Sequence, residues 1–510
     1  MDETPKDLWE DTDENKYQLH ATIPTIDSTI ESENVDERVV YIGDLEKRKQ
    51  AYGICGECKE PGTGWRWCQS CNAKRFKDNF KNWTSGNKDI DEFIQQSQLN
   101  AVYNKKYLEW IPFEKFQNIT YIAEGGFGKI YSAEWPEGDI NYWDIENQNW
   151  YRYSWSKYAL KSLNNSSDIC SDFLNEIYIY DIVQCFGITQ DPNNKEYMMV
   201  IEYCNDGNLR NYLNKSENYI NYKSKIDKLQ QIARGLLDIH NSEKVHKDFH
   251  SGNLLINHSD PYISDLGMCQ PANIKQTVKE EGIYGVLPYM APEVLRGQQY
   301  TKAADIYSFG IIMKEFLSEE IPFNDIPHNE FLAIKICKGL RPTISKDIPK
   351  LLADLIIKCW DAEIKNRPTT KELYQLLNKW YVETKDIEDR DDSEDDEDSK
   401  NGSNSQKSEL YFQIKECDKI RKEKFKNRSN EDKSKSFKTH PQAIYTSRLL
   451  NFKNLPNPVN SSDLLSFQFS SDTSYTAQST SANLISECLD VQLSELELNE
   501  ICQDGEDNFE

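Results

Sequence analysis

The sequence predicts an α+β protein with one large domain near residues 114–381, a small cysteine-rich segment ahead of it and polar tails on either side. Three observations point this way. Between 119 and 381, strand-like and helix-like apolar patterns alternate with Gly and Pro punctuation. Two C-x-x-C units stand close together, Cys55 to Cys58 and Cys68 to Cys71. The flanks are rich in charge and poor in periodic apolar residues, a composition that cannot offset the entropy of ordering a chain.

Composition sets outer bounds. At 510 residues the chain exceeds a single core, so one large domain with smaller or disordered flanks is expected. Sixty Lys and Arg against 85 Asp and Glu give a net charge of −25, which argues against nucleic acid or an anionic membrane as the main partner. Seven acids among the first fourteen residues do not suit a secretory leader, and no apolar run reaches membrane-spanning length. Thirteen Cys, an odd number, suit a reducing compartment. The expected location is the cytoplasm, with the nucleus open.

In chain order, residues 1–45 read as a disordered acidic N-terminus. Residues 52–84 hold the four cysteines. Cys55, Cys58, Cys68 and Cys71 form two chelating knuckles nine residues apart, able to present four thiolates to a structural zinc ion in a segment with little apolar mass of its own. Four reduced structural thiols are the other reading. Trp65, Trp67, Phe76, Phe80 and Trp83 are expected to cover this knuckle. Residues 85–113 read as a helical linker, with Ile90, Phe93, Ile94 and Leu99 on one face. Beyond 381, residues 383–398 carry eleven acids and two bases, and 382–510 as a whole reads as an acidic, Ser- and Asn-rich disordered tail. One apolar stretch, AIYTSRLLNF at 443–452, breaks that tail and reads as partly ordered chain or a docking peptide.

Within the large domain, a strand at 119–122 runs into AEGGFGKIYSAEW, where Gly125, Gly126 and Gly128 let backbone amides approach an anion. The aromatic stretch WPEGDINYWDIENQNWYRYSW then reads as an enlarged hairpin whose rings pack within it. A short strand ends in Lys161, and SDFLNEIYIY reads as a helix carrying Glu176, a carboxylate able to hold that ammonium. Farther on, HKDFHSGN places Asp248 five residues before Asn253, and Asp265 follows the apolar Tyr262 and Ile263 in SDLG.

Together these residues resemble the Gly-rich loop, strand Lys, H-R-D-L-x-x-x-N and D-F-G elements of protein kinases, and Met290-Ala291-Pro292-Glu293 resembles A-P-E. The resemblance covers about half the chain and implies a two-lobed protein kinase fold, with a small β-rich N-lobe and a larger helical C-lobe. It also implies ATP and magnesium as cofactors and protein substrates as partners. Lys161, paired with Glu176, would contact the α- and β-phosphates; Asp248 would accept the substrate proton; Asn253 and Asp265 would hold magnesium. YMMVIEYC resembles the strand into the adenine hinge, with Ile201 beside the pocket and the backbones of Glu202 and Cys204 offering hydrogen bonds. Asp305 resembles the buried Asp that braces the catalytic loop, and Arg367 the partner of Glu293. IYSFGII and the CW…RPT ending are similar to the tyrosine-kinase-like group, including expanded fungal sets. The expected activity is phosphoryl transfer to protein hydroxyls, Ser or Thr, in intracellular signalling; the alternative is a catalytically impaired pseudokinase scaffold.

Several positions depart from that pattern. Ala123 stands where a first Gly is usual, Lys247 replaces an Arg, Leu266 replaces a Phe, His250 replaces the Lys of serine/threonine kinases and Val286 their Thr. Only a few residues separate Glu176 from the strand IVQCFGIT, so either the helix ends early or a coding segment is missing. Thr277, Tyr284 and, in the acidic run, Ser393 are candidate phosphorylation sites.

Overall fold

The computed structural model describes residues 9, 21–23, 39–125, 128–162, 183–215, 219–265, 270–271, 282–384, 408–427 and 439–460. Glu176, Gly126, Leu266, Thr277, Ser393 and the shortened helix region lie outside them. The chain divides into two compact units, Met1–Gly207 with Leu255–Cys269, and Asn208–Leu254 with Gln270–Glu510. The first is rich in β structure and the second is helical, in the expected N-lobe and C-lobe pattern.

Ahead of the main sheet in the first unit, strands β1 (Ala21–Ile23) and β2 (Val39–Tyr41) pair in parallel. Helix α1 (Leu45–Tyr52) follows, capped by the Asp44 side chain on Lys47 N. A satisfied cap of this kind contributes about 1 kcal/mol. Helix α2 (Gln69–Asn79) leaves the second knuckle, and α3 (Lys88–Asn100) begins where the Asn87 side chain accepts from Asp89 N and Ile90 N.

The main sheet has six strands. It contains β3 (Glu109–Trp110), β4 (Gln117–Gly125), β5 (Gly128–Glu134), β8 (Tyr158–Ser162), β9 (Cys185–Gln190) and β10 (Tyr197–Glu202), in the order β3-β9-β10-β8-β5-β4. Every residue of β8 is buried, as the centre of a sheet covered on both faces requires. The stretch expected as a linker does more than connect. Its helix α3 buries Ile90 and Ile94 against Leu108, Ile188, Tyr197 and Met199, and β3 pairs in parallel with β9. That approach needs Gly187, because a Cβ there would meet Glu109 O at 2.1 Å.

The enlarged hairpin is present as β6 (Asp139–Asp144) and β7 (Asn149–Tyr153), but its rings do not pack only on one another. Trp150 stacks on Trp67 and Phe76 at centroid distances of 6.0 and 4.9 Å, and Arg75 lies over Trp143. The partner is the cysteine segment. Trp67 is fully buried and donates from Nε1 to Ala101 O at 2.7 Å, so knuckle, hairpin and α3 share one aromatic core with Tyr107 and Ile140.

In the second unit α5 (Tyr222–Asn241) packs against α10 (Thr370–Thr384), and α7 (Lys302–Ser318) is buried over almost its whole length. Here the expectation of an unstructured tail fails for two pieces. Helix α11 (Glu409–Lys426) turns Leu410, Ile414, Cys417 and Arg421 inward, a helical face hidden in the sequence by the lysines and acids around it. Arg421 meets Glu319 at 2.9 Å and Asp347 at 3.4 Å, and Asp418 accepts from Tyr222 N. The other piece, 439–460, includes β16 (Arg448–Leu450), antiparallel to β15 (Ile283–Gly285).

Candidate active site

The residues expected to handle phosphate fall into two groups, one in each unit. In the first unit, β4 and β5 form the Gly-loop hairpin, closed by Gly125 opposite Gly128. Gly128 has φ 139°, and a Cβ there would meet Ser162 O at 2.0 Å, so a side chain at this position is sterically excluded. β8 runs between β5 and β10, with Ile130 and Met199 flanking Lys161. Lys161 Nζ donates to Asp265 Oδ1 at 2.9 Å. Asp265 itself sits in the left-handed region at φ 62°, a conformation Asp tolerates better than most residues and that recurs at functional turns.

On the hinge strand, Ile201 packs against the α3 cluster. Glu202 N donates to Gln184 O at 2.9 Å, and its side chain, expected to matter little, accepts from Asn257 Nδ2 at 2.7 Å. That bond ties the hinge to the strand β12 (Leu254–Asn257). Burial, with the charges of Glu202 and Asp206, pushes the Cys204 thiol up to about 12. It is therefore a neutral group and no nucleophile.

The second unit holds the catalytic-loop motif. Asp305 is fully buried and accepts from His246 N at 2.8 Å, Lys247 N at 3.1 Å and His240 Nε2 at 2.9 Å. These bonds hold Lys247 at φ 69°, where a non-glycine residue costs about 1–2 kcal/mol. Asn253 Nδ2 donates to Asp248 O at 2.9 Å and to its Oδ2 at 3.3 Å, fixing the carboxylate against the amide five residues on. Asp248 Oδ1 is buried and has no hydrogen-bond partner among the described residues. An unmet carboxylate oxygen costs about 1–3 kcal/mol, a penalty retained where the atom has chemistry to do.

His250, read from the sequence as a departure, faces the same carboxylate. Its Nδ1 accepts from Gly252 N at 3.0 Å, which places the proton on Nε2, 3.5 Å from Asp248 Oδ2 and 3.3 Å from Ser447 Oγ. Burial raises the Asp248 carboxyl, while His250, through its hydrogen bond and charge, and the Ser447 hydroxyl outweigh burial and hold it below the ordinary carboxylate range. Asp248 is thus ionised and able to accept a proton.

Sequence reasoning missed a second shell of this loop. Glu315 accepts from Ser251 Oγ at 3.0 Å and Tyr289 Oη at 2.5 Å, and Arg210 bridges Glu315 and Tyr289. No spacing rule joins these residues, which come from four separate segments. Glu293 and Arg367, named from the resemblance, form a buried bidentate pair at 2.6 and 2.8 Å.

These loops, strands and ion pairs agree with what comparison finds. The protein tyrosine and serine/threonine kinase family matches residues 116–377, just over half of the chain. The chain belongs to this family. The serine/threonine-protein kinase VIK of Arabidopsis thaliana is 31% identical over 280 residues, covering 52% of this chain and 60% of that protein. The serine/threonine-protein kinase STY17 of the same plant is 27% identical over 237 residues, 45% of this chain and 41% of its own length. The kinase chain therefore spans less than two thirds of these relatives. Among the described residues no helix is long and apolar enough to cross a membrane.

Outside the kinase match, the four cysteine sulfurs all lie within 4.8 Å of one another. Cys55 to Cys71 is 3.9 Å and Cys58 to Cys68 is 3.5 Å. A tetrahedral metal with 2.3 Å bonds sets sulfurs about 3.8 Å apart, so the donor set and its spacing fit zinc. The thiol of Cys68 hydrogen-bonds to Cys55 and pulls it down to about 5, against the effect of burial. Burial, then the charge of Cys55, pushes Cys71 up to about 12.

Proposed function

We propose that this kinase chain transfers the γ-phosphate of ATP to serine or threonine hydroxyls of proteins in intracellular signalling. The observation that carries it is the ionised Asp248 carboxylate, pinned by Asn253 and by a loop anchored on Asp305. A hydroxyl that reaches Asp248 can give up its proton as it attacks. Lys161, buried and paired with Asp265, supplies a cation for the α- and β-phosphates, and the Gly-loop amides cover them. Asn253 and Asp265 each offer the oxygen ligand that magnesium prefers, and the bound ion would offset charge developing on the phosphates. The names of the plant relatives support Ser/Thr acceptors, and the IYSFGII and CW…RPT segments support the tyrosine-kinase-like group. Cys55, Cys58, Cys68 and Cys71 hold one structural zinc.

The short stretch between Glu176 and β9, which starts at Cys185, favours a second reading as a pseudokinase scaffold. Phosphate incorporation from labelled ATP and magnesium into a generic protein substrate separates the two. The wild-type chain should label it and Asp265→Ala should lose at least about a hundredfold. Equal labelling by both would overturn the kinase reading, and none from the folded wild type would favour the scaffold.

A further inference from the structure

We propose that Ser447 is a phosphorylation site of this chain's own catalytic loop, with residues 443–450 lying as a peptide substrate in cis. The inference rests on the kinase reading above and adds the acceptor.

The Ser447 hydroxyl donates to Asp248 Oδ2, the oxygen that Asn253 also contacts. His250 Nε2 is 3.3 Å from the same hydroxyl. The peptide is held on both sides of that serine. On its C-terminal side, Arg448, Leu449 and Leu450 pair with Gly285, Tyr284 and Ile283, the addition of a peptide strand to an exposed edge. Tyr284 Oη also donates to Ser447 O at 3.1 Å. On its N-terminal side, the Tyr445 ring lies under the Arg210 guanidinium at 4.2 Å and its hydroxyl donates to Pro322 O at 2.8 Å. Arg448 Nη2 reaches His328 O at 2.6 Å. Leu450 is buried.

A segment that only blocked the groove would need no hydroxyl at this point. Here the one group placed on the proton-accepting carboxylate is a primary alcohol, held from both directions in the orientation that turns a bimolecular reaction into an intramolecular one. In the transfer, a bond forms between Ser447 Oγ and the γ-phosphorus of ATP, the bond from that phosphorus to the ADP oxygen breaks, and the hydroxyl proton passes to Asp248. The product would carry about −1.5 to −2 charges beside the Asp248 carboxylate. Repulsion then expels the segment and opens the groove to other proteins. The same residues that make 443–450 a substrate thus make it a strap that one turnover releases.

The test uses the full chain, treated with a phosphatase and then given labelled ATP and magnesium, with phosphopeptide mapping. Phosphate on Ser447, appearing at a rate per molecule that stays constant over about a hundredfold dilution, is expected. It should be absent from Ser447→Ala and from Asp265→Ala. Tyr445→Ala, which loosens the strap outside the catalytic loop, should slow Ser447 labelling and raise labelling of an added serine peptide, each by about tenfold. Labelling of the peptide or of other sites with Ser447 bare would overturn the inference and leave the kinase reading standing. A Ser447 rate that climbs with protein concentration, or that Tyr445→Ala leaves unchanged, would also overturn it. Failure of the folded wild type to label anything would remove the kinase reading itself.

Discussion

Asp305, without solvent exposure, carries donors from His240, His246 and Lys247 on its two oxygens, and these bonds hold Lys247 in a left-handed backbone one residue before Asp248. Asp305→Ala leaves three buried donors without their acceptor. The expected cost is about 3 kcal/mol of stability, read by thermal unfolding, together with loss of phosphate transfer as Lys247 relaxes. Asp305→Asn keeps one acceptor oxygen and should lose less of both; equal losses would mean that the charge, and not the count of acceptors, holds the loop. At this scale the sequence was most informative where chemistry is local. Asp248 with Asn253, and Asp265 after its apolar strand end, are spaced motifs and could be read directly. His250 could be seen only as an exception, because the hydrogen bond from Gly252 that sets its tautomer is a matter of loop geometry. Ser447 gave no signal, since an isolated serine in a polar tail carries no periodicity.

The β6–β7 hairpin shows the same limit among elements. Its existence followed from aromatic alternation, but its packing partner did not, because Trp67 and Phe76 are distant in sequence and join Trp150 only after both segments fold. Helix α11 was hidden differently, its three apolar positions diluted by charge. The hairpin also carries a titrating group. Asp139 is pushed up to about 7, chiefly by burial, with Glu109 adding to the rise and the Asp139 backbone, Tyr158 and Arg152 opposing it. The folded state thus binds a proton that the unfolded chain releases near pH 4, so stability is full below about pH 4 and falls as pH rises to about 7. Asp139→Asn, which cannot ionise, should remove that slope and leave the chain more stable at pH 8 by an amount on the order of 2–4 kcal/mol. Urea unfolding of both proteins across this range is the measurement. Parallel pH profiles would show that Asp139 does not titrate in the window.

Across the whole molecule, the family match ends at 377, while structure continues on either side of it. The helix α11 and strand β16 are built into the second unit, and the cysteine segment is built into the first through an aromatic core. That core makes the metal testable beyond the cysteines themselves. Trp67 directly precedes Cys68 and is fully buried, and with Phe76 on α2 it stacks against Trp150. A structural zinc site contributes about 10–16 kcal/mol of apparent binding free energy, far more than so small a segment could replace from its own apolar surface. Metal analysis should therefore find one zinc per chain. Stripping it with a strong chelator should shift tryptophan emission to the red as Trp67 meets water, and open new protease cuts first within 52–84 and then in the 139–153 hairpin that leans on it. Cys68→Ser should reproduce both changes without chelator. A chain that contains no metal yet keeps buried tryptophan emission and resists cleavage would mean that the four thiols pack as reduced side chains, and that the stacked rings alone hold this end of the sheet.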